Sequence, residues 1–292
     1  MSMRHAMSVD VEEYFQVWAL SGVIAAADWE RWPSRVEAST RRTLDLFAAA
    51  DMRATFFVLG WVAERRPALV RAIVDAGHEL ASHGHGHAKL TTLEPAAFRA
   101  DVARAKAVLE DTGGVAVAGY RAPSFSIGPA TWWAYDILAA TGHRYSSSLH
   151  PIAHDHYGLP EAPRTPFRPT AGPLIEVPVA TVELGRRLSC AGGGHFRLLP
   201  YAWTRFGLDR LERRERRPGV FYFHPWELDP GQPRVAGLSW RAQLRHYVNL
   251  DRMETKLRRL VDDFAWDRLD AVVPLDPANL PRWAPASTAA AA

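Results

Sequence analysis

Cysteine and long apolar runs are the two features that this sequence most clearly lacks. Its 292 residues include a single cysteine, Cys190, which excludes an internal disulfide and leaves the redox compartment open. No stretch reaches the roughly 18 uninterrupted apolar residues that a membrane helix needs. Residues 1–9 also lack the apolar core of a secretory signal. We therefore expect no membrane span and a cytoplasmic location.

Lysine is scarce as well, so the positive charge of the chain is carried almost entirely by arginine. The formal net charge is only +3, and the one dense basic run, Arg213–Arg217, is interrupted by a glutamate. A nucleic-acid-binding protein concentrates its positive charge on one face or along one helix. We therefore expect no nucleic-acid partner.

Short apolar runs alternate along the chain with stretches of helical spacing. This alternation is typical of βα units around a largely parallel sheet or barrel, so the fold class is α/β. Strands are predicted at residues 7–11, 54–59, 78–82, 115–120, 143–147, 174–184 and 220–224. The helices between them include one over residues 63–76, which Gly77 ends, and a long one over residues 239–262.

Three histidines occupy alternate positions directly after the predicted strand 78–82. His83 and His87 are four positions apart, so a helical turn or a tight loop places both imidazoles within reach of one divalent ion. His85 lies between them and is expected to point elsewhere. The alternative is an incidental histidine-rich surface turn. The metal site is favoured because further polar clusters follow other strands, where barrel enzymes carry their catalytic groups.

Two carboxylates lie at the end of the first predicted strand. Asp10 and Glu12 are two positions apart, so their side chains share one face if the extended geometry continues that far. Val11 and Glu13 would then face away. Beside a metal ion, one such carboxylate can be a ligand and the other a general base toward water. The alternative is an acidic cluster that caps a helix.

Arg121 follows one predicted apolar strand, and His224 is the last residue of another. His224 suits a partly buried imidazole that gives a proton to a leaving amine, although a core histidine has the same pattern. Arg121 is either a surface arginine or a clamp for a substrate or carboxylate. Its planar guanidinium suits a bidentate hold on Asp10.

Several residues that flank these positions are candidates for contact with a sugar. Aromatic rings either stack on sugars or pack in a core, and the sequence leaves both open. The candidates are Tyr14, Phe125, Trp226 and Glu227. A second histidine-rich segment, with His150, His154 and His156, is either a surface loop or part of a substrate groove.

Taken in chain order, these residues resemble the motifs of the polysaccharide deacetylase family, the NodB homology domain or carbohydrate esterase family 4. Asp10 falls in the first motif, and His83 and His87 match the HxxxH motif. The RxP motif corresponds to Arg121–Pro123, and a late apolar-apolar-His motif ends at His224. Segments 8–17, 193–200 and 221–233 resemble a subgroup found with exopolysaccharide and exosortase loci.

The resemblance covers nearly the whole chain and implies an irregular (β/α)7-type barrel with a C-terminal extension. We expect a single domain over residues 1–285. Residues from about 151 to 285 would include the subgroup-specific region, and residues 286–292 would form a disordered tail.

The resemblance also implies a metal-dependent hydrolase that removes N-acetyl groups from hexosamine units of an exopolysaccharide or its precursor. A divalent metal, with zinc expected and cobalt, manganese or nickel as alternatives, would be held by His83, His87 and Glu12. Asp10 would take a proton from water, His224 would protonate the departing amine, and Arg121 would hold Asp10. The partner is an N-acetylated glycan, and no oligomeric state is indicated.

Two positions depart from the family pattern. Val11 stands where the family has a second aspartate, so the metal carboxylate is expected from Glu12. Ser146 stands near the place of the acid that commonly supports the catalytic histidine. Either another acid substitutes for it or His224 is tuned differently.

Two other functions remain open on the sequence alone. One is a hydrolase of small cyclic amides or imides on the same scaffold, which a closed pocket would favour over an open groove. The other is a catalytically silent glycan-binding protein that has lost the support acid at Ser146.

Overall fold

The computed structural model describes residues 3–154 and 157–286, and these form an α/β fold around one curled parallel sheet. His156 and residues 287–292 of the predicted tail lie outside the described residues. The strands are β1 (Arg4–Val11), β2 (Thr55–Val58), β3 (Glu79–Ser82), β4 (Gly119–Tyr120), β5 (Tyr145–Ser146), β6 (Ile175–Glu176), β7 (Thr181–Glu183), β8 (Arg187–Ser189), β9 (Val220–Phe223) and β10 (Ala265–Asp267).

Within the described residues, seven parallel strands follow one another around the sheet in the order β9-β1-β2-β3-β4-β5-β6. Strand β10 extends the sheet along the start of β1, and β7 and β8 form a separate antiparallel hairpin. The ring is drawn together after β6, because the Ala180 amide donates to the Val220 carbonyl at 3.0 Å. The predicted irregular barrel is thereby confirmed.

The helices connect the strands on the outside of the curled sheet. They are α1 (Val36–Ala49), α2 (Gly60–Arg65), α3 (Pro67–Asp75), α4 (Pro95–Gly113), α5 (Ala134–Ala140), α6 (Gly193–Leu198), α7 (Tyr201–Arg210), α8 (Trp240–Tyr247), α9 (Leu250–Asp263) and α10 (Leu269–Val272). Short 3-10 turns precede several of them.

Two predicted helices are each divided in the structure. The helix predicted over 63–76 is α2 followed by α3, because Pro67 starts a new helix and disfavours helical geometry at the residue before it. The helix predicted over 239–262 is α8 followed by α9. The break lies at Asn249, whose φ of 51° is left-handed. The strand predicted over 174–184 is likewise two strands, β6 and β7.

Strand β1 lies at the centre of the core. Every residue from His5 to Val11 is buried, as is usual for a parallel strand that is covered on both faces. Its apolar residues pack with those of β2 and β9 and with Met253, Leu257 and Leu260 of α9. Because β1, β3, β4 and β9 belong to one parallel sheet, their carboxyl ends lie at the same edge of the barrel.

None of the helices in the part of the chain that the structure describes is long and apolar enough to cross a membrane.

Candidate active site

The polar residues at the carboxyl ends of β1, β3, β4 and β9 all reach one region at this edge of the barrel. A cavity of about 480 Å³ opens there, and its floor includes Asp10, Glu12, His83, His87 and His224. This edge carries the catalytic groups in barrel enzymes. The structure thus brings together the residues that the motifs selected.

Glu12, His83 and His87 form the one cluster in the described residues whose ligand atoms suit a single metal ion. All three ligand atoms lie within 4.8 Å of one another. Glu12 Oε2 is 2.6 Å from His87 Nε2 and 3.8 Å from His83 Nε2. Glu12 Oε2 is buried, yet no neighbour is aligned to form a hydrogen bond with it. Two imidazoles and one carboxylate are the protein ligands of many catalytic zinc sites, so these residues fit a divalent cation.

His83 is held in the tautomer that a metal ligand requires. Its Nδ1 lies 2.9 Å from the Arg121 carbonyl oxygen, which can only accept, so Nδ1 carries the proton and Nε2 presents its lone pair. Burial lowers the pKa of His83 to about 4, although Asp10 and Glu12 act in the opposite direction. The ring is therefore neutral at pH 7.

Glu12 is ionised despite its burial. Burial by itself would raise its pKa, but His87, His224 and His83 together lower the pKa of Glu12 to about 2. Its second oxygen, Oε1, accepts a hydrogen bond from Trp226 Nε1 at 3.2 Å. Trp226 thus orients the carboxylate, and its ring is 5% exposed at the edge of the cavity.

The loop between the two histidines is fixed by Asp101 of α4, a residue that the motifs did not indicate. Its carboxylate accepts from the His85 amide at 2.8 Å and from the Gly86 amide at 3.0 Å. His87 itself has a φ of 51°, a conformation that non-glycine residues adopt only when their surroundings hold them there. The His85 ring points away, as expected, with its Nε2 3.1 Å from a Glu64 oxygen.

Asp10 and Arg121 form a fully buried ion pair beside the cluster. Arg121 Nη1 donates to Asp10 Oδ1 at 2.6 Å and to Ser8 Oγ at 2.9 Å. Arg121 Nε donates to the Ser147 carbonyl oxygen and Arg121 Nη2 donates to the Ser147 hydroxyl, each at 2.9 Å. The Arg121 guanidinium also lies over the Phe57 ring. Arg121 therefore holds Asp10 in place, and Asp10 Oδ2 lies 4.0 Å from His224 Nε2.

His224 is supported by Glu227, three residues farther along the chain. Glu227 Oε2 lies 3.2 Å from His224 Nδ1 and accepts from the His224 amide at 2.9 Å. Burial alone would lower the pKa of His224, but Glu12, Glu227 and Asp10 raise it to about 9. Ser146, near the place expected for a support acid, instead donates to the Ser148 hydroxyl.

Glu227 is in turn held by Arg197 of α6. Arg197 Nε donates to Glu227 Oε1 at 2.7 Å, and both side chains are buried. The rest of the guanidinium donates to three backbone carbonyls at the junction of α8 and α9, those of Arg245, His246 and Val248. Burial by itself would raise the pKa of Glu227, but Arg197 and His224 lower it to about 2.

The four candidates for sugar contact occupy different surroundings. Phe125 and Trp226 border the cavity. Glu227 also borders it, but both of its oxygens are engaged by Arg197 and His224, so it serves His224 rather than a free sugar. Tyr14 does not reach the cavity, because the chain turns inward after Glu13 and buries the Tyr14 ring completely among apolar residues.

Glu13 caps a helix, which is the role that the alternative interpretation of Asp10 and Glu12 gave to the whole acidic cluster. Its carboxylate accepts from the amides of Arg35 and Val36 at the start of α1. The second histidine-rich segment is partly buried, since His150 is fully enclosed while His154 borders the cavity.

Two family models match consecutive parts of the chain. Residues 29–145 match the model described as polysaccharide deacetylase, and residues 147–274 match a domain of unknown function, DUF3473. The site draws on both parts, because His83, His87 and Arg121 lie in the first, and Arg197, His224 and Glu227 lie in the second.

Curated relatives resemble part of the chain. The chitooligosaccharide deacetylase of Sinorhizobium fredii is 31% identical over 147 residues, which is 50% of this chain and 62% of that protein. The chitooligosaccharide deacetylase of a Bradyrhizobium species is 29% identical over 111 residues, which is 38% of this chain and 48% of that protein. The chain thus spans about half to three fifths of the length of these relatives.

A solved structure shares the fold over almost the full length. It is a crystal structure of a Mycobacterium smegmatis protein provisionally described as a polysaccharide deacetylase. The TM-score is 0.65 at 21% sequence identity, and the alignment covers 95% of this chain and 92% of that one. This structure shows that the fold is shared, and the family match shows that residues 29–145 belong to a polysaccharide deacetylase domain of the NodB homology kind, carbohydrate esterase family 4.

Proposed function

We propose that the chain is a metal-dependent hydrolase that removes N-acetyl groups from hexosamine units of a glycan. The observation that carries the proposal is the meeting of three groups in one cavity. These are the Glu12, His83 and His87 cluster, the Asp10–Arg121 pair, and His224 with its support from Glu227. The relatives' names give the substrate class, N-acetylated sugar polymers and oligomers, and an exopolysaccharide or its precursor is our more specific expectation.

Glu12, His83 and His87 would hold the divalent cation. Bound there, the cation would act as a Lewis acid on the acetamide carbonyl and on a water molecule. Zinc is expected from the donor set, and cobalt, manganese or nickel would suit the same imidazoles.

In this proposal Asp10 acts as the general base. Arg121 occupies its Oδ1, so Oδ2 is the oxygen left to take a proton from the attacking water. The oxygen of that water then forms a bond to the acetamide carbon. Arg121 is fully buried and also donates to Ser8 and Ser147, so it holds Asp10 in one orientation in the structure.

In this proposal His224 acts as the general acid. Glu227 binds its Nδ1, so Nε2 faces the reacting groups, 3.6 Å from Glu12 Oε1 and 4.0 Å from Asp10 Oδ2. Donation of the Nε2 proton to the amide nitrogen allows the carbon–nitrogen bond to break. The products are acetate and a free amino sugar.

The glycan-binding alternative loses its main support, because it rested on the absence of an acid at Ser146. Glu227 supplies a buried carboxylate to His224 from another position. The cyclic amide alternative called for a closed pocket, whereas this cavity is open at the carboxyl edge of the barrel. The cytoplasmic location, the domain limits and the exopolysaccharide subgroup stay predictions.

The proposal is tested by loading the purified chain with zinc or cobalt and measuring acetate release from N-acetylglucosamine oligomers. We expect release by the wild-type chain, and loss of both bound metal and activity in His83→Ala. The proposal fails if the metal-loaded protein releases no acetate from the oligomers or from an acetylated polymer, while His83→Ala leaves the metal content unchanged.

A further inference from the structure

Exposed apolar side chains are concentrated around the mouth of the active-site cavity. Eight large hydrophobic side chains of the described residues are exposed, and four of them line this one cavity. We call these four the rim: Trp18, Leu198, Trp240 and Leu244, which are 46%, 56%, 69% and 50% exposed. Single exposed hydrophobic residues are ordinary, but a contiguous group marks an interaction surface.

The rim is held by the same contacts that support the catalytic residues. Trp240 and Leu244 are four positions apart in α8 and therefore share one exposed face. Leu198 ends α6, and the adjacent Arg197 joins α6 to α8 by donating to the carbonyls of Arg245 and His246. Trp18 belongs to a 3-10 turn, Trp18–Leu20, that packs against α8. The four side chains thus form one ordered surface.

Positive charge accompanies the rim. Arg241 and Arg245 are exposed on α8 beside Trp240 and Leu244. Lys89 places its ammonium 3.4 Å from the centre of the Trp18 ring. The carboxylates that line the cavity in the described residues, Asp10, Glu12 and Glu227, are all buried in its floor. Among the described residues, the mouth therefore combines apolar and cationic side chains.

This combination matches the surface of an anionic bilayer better than it matches a free glycan. Tryptophan stacks on sugars, but exposed leucines gain little from a hydroxyl-rich chain, whereas both residue types bury favourably among lipid headgroups and acyl chains. Arginine and lysine next to them attract anionic headgroups. Helix α8, with apolar and basic residues both exposed, has the composition of an interfacial helix.

We propose that the rim binds an anionic lipid surface, so that the mouth of the cavity faces the membrane. The proposal rests on the proposed function, and it implies that the substrate is a short N-acetylated saccharide attached to a lipid. The saccharide would enter the cavity from the bilayer surface while its lipid stays in the membrane.

The binding is tested with the full chain by sedimentation with vesicles. One set contains phosphatidylcholine and phosphatidylglycerol in equal parts, and the other contains phosphatidylcholine alone. We expect salt-sensitive binding to the anionic vesicles, weaker binding to the neutral ones, and a loss of about tenfold in affinity for the double variant Trp240→Ala/Leu244→Ala. The matched control, Leu184→Ala/Phe206→Ala, removes two exposed hydrophobic residues outside the cavity and should bind like the wild type.

Three results would overturn the rim proposal. The first is no binding of the wild-type chain to either vesicle. The second is an equal loss in the control variant. The third is Trp240-dependent binding of a soluble N-acetylglucosamine tetramer without vesicle binding, which would assign the rim to a glycan. Thermal melting checks that the variants are folded.

The substrate class is tested separately by comparing acetate release from lipid-linked N-acetylglucosamine in anionic vesicles with release from the soluble tetramer. We expect faster release from the lipid-linked form, and loss of that advantage in Trp240→Ala/Leu244→Ala. Equal rates from both forms would overturn the substrate class. Sedimentation involves no turnover, so a chain that binds vesicles but releases no acetate would refute the hydrolase function and leave the docking surface standing.

Discussion

At the scale of single residues, the side chain that supports His224 is that of Glu227, only three residues farther along the chain. Glu227 accepts from the His224 amide and contacts the His224 ring, and Arg197 holds the opposite oxygen of Glu227. A buried carboxylate behind an imidazole fixes the ring orientation and stabilises its protonated form. Glu227 is therefore a positioning residue in the proposed reaction.

Replacing Glu227 with Gln tests this role. The amide keeps the size of the side chain but removes the negative charge beside His224. We expect kcat for acetate release to fall about 10²-fold, as for loss of general-acid catalysis, with little change in KM or metal content. Glu227→Asp should recover part of the rate. A fall in metal content equal to the fall in kcat would mean that Glu227 acts only on the structure of the site.

Asp101 gives a second prediction at this scale. Because its carboxylate binds the amides of His85 and Gly86, Asp101→Ala should loosen the loop that carries His87. We expect metal affinity to fall about 10- to 100-fold, the usual effect of removing a group that orients metal ligands. Competition between zinc and a chelating dye measures it. Asp111→Ala, which removes an exposed carboxylate from the same helix, is the control and should leave the affinity unchanged.

Residue spacing anticipated part of this arrangement. Asp10 with Glu12, and His83 with His87, could be paired because each pair is local and lies at the end of a strand. The contact between Arg121 and Asp10 was anticipated from the chemistry of a guanidinium and a carboxylate at strand ends, but only Nη1 meets Asp10, so the expected bidentate hold is absent between these two residues. The role of Glu227 was missed although it lies only three residues from His224, because the contact with Arg197 that holds it in place spans 30 positions and has no local signal. Tyr14 was predicted to lie near the substrate because it flanks the first motif. The chain turns inward after Glu13, and this turn is a tertiary feature that the local sequence does not reveal.

At the scale of elements, the break between α8 and α9 matters most for the site. The carbonyl oxygens of His246 and Val248 at this break accept hydrogen bonds from Arg197. In a continuous helix, these two oxygens would instead accept hydrogen bonds from amides of the same helix. Asn249 makes the break with a left-handed φ of 51°, and its Nδ2 donates to the Arg197 carbonyl at 2.9 Å. Apolar spacing continues through this junction, so periodicity alone predicted one helix.

Substitutions at Asn249 separate its two contributions. Asn249→Ala loses the hydrogen bond and places a Cβ-bearing residue without a polar side chain in the left-handed region, so we expect a loss of about 2 kcal/mol in the free energy of unfolding. Asn249→Gly loses only the hydrogen bond and should cost about 1 kcal/mol. Urea denaturation measures both variants. If alanine is tolerated better than glycine, the left-handed backbone is not what the asparagine supplies.

At the scale of the whole molecule, the barrel joins distant parts of the chain. Strand β1 pairs with β9 along one edge, so Asp10 and Glu12 come beside His224. The βα alternation of the sequence was enough to predict a largely parallel sheet or barrel, and the family resemblance supplied its irregular barrel form. The limits of short strands such as β4 and β5 were not predicted, because they depend on their neighbours in the sheet.

Two buried histidines link these distant parts and make the stability of the fold sensitive to acid. His78 Nδ1 accepts from the Ala54 amide at 3.1 Å, and His5 Nδ1 accepts from the Gly219 amide at 3.0 Å. Burial lowers the pKa of each histidine to about 4. In the unfolded chain they titrate near 6.5, so between pH 6.5 and 4 the unfolded state binds protons that the folded state does not.

The free energy of unfolding should therefore fall as the pH decreases from 6.5 toward 4, by about 1.4 kcal/mol per pH unit for each of these histidines. His78→Asn keeps an acceptor near the Ala54 amide but cannot titrate. In urea denaturation, we expect the free energy of unfolding of this variant to depend less steeply on pH than that of the wild type. The difference in slope should equal the contribution of one histidine. An identical slope in the two proteins would exclude His78 as a source of the acid sensitivity.

The central claim is that Glu12 binds the metal while Asp10 acts on the water. The most direct measurement is the zinc content and acetate release of two isosteric variants, Glu12→Gln and Asp10→Asn, after equal metal loading. The account predicts that Glu12→Gln loses most of its zinc, whereas Asp10→Asn keeps zinc near one ion per chain and loses acetate release by at least about 10²-fold. Retention of zinc by Glu12→Gln together with its loss from Asp10→Asn would contradict the account.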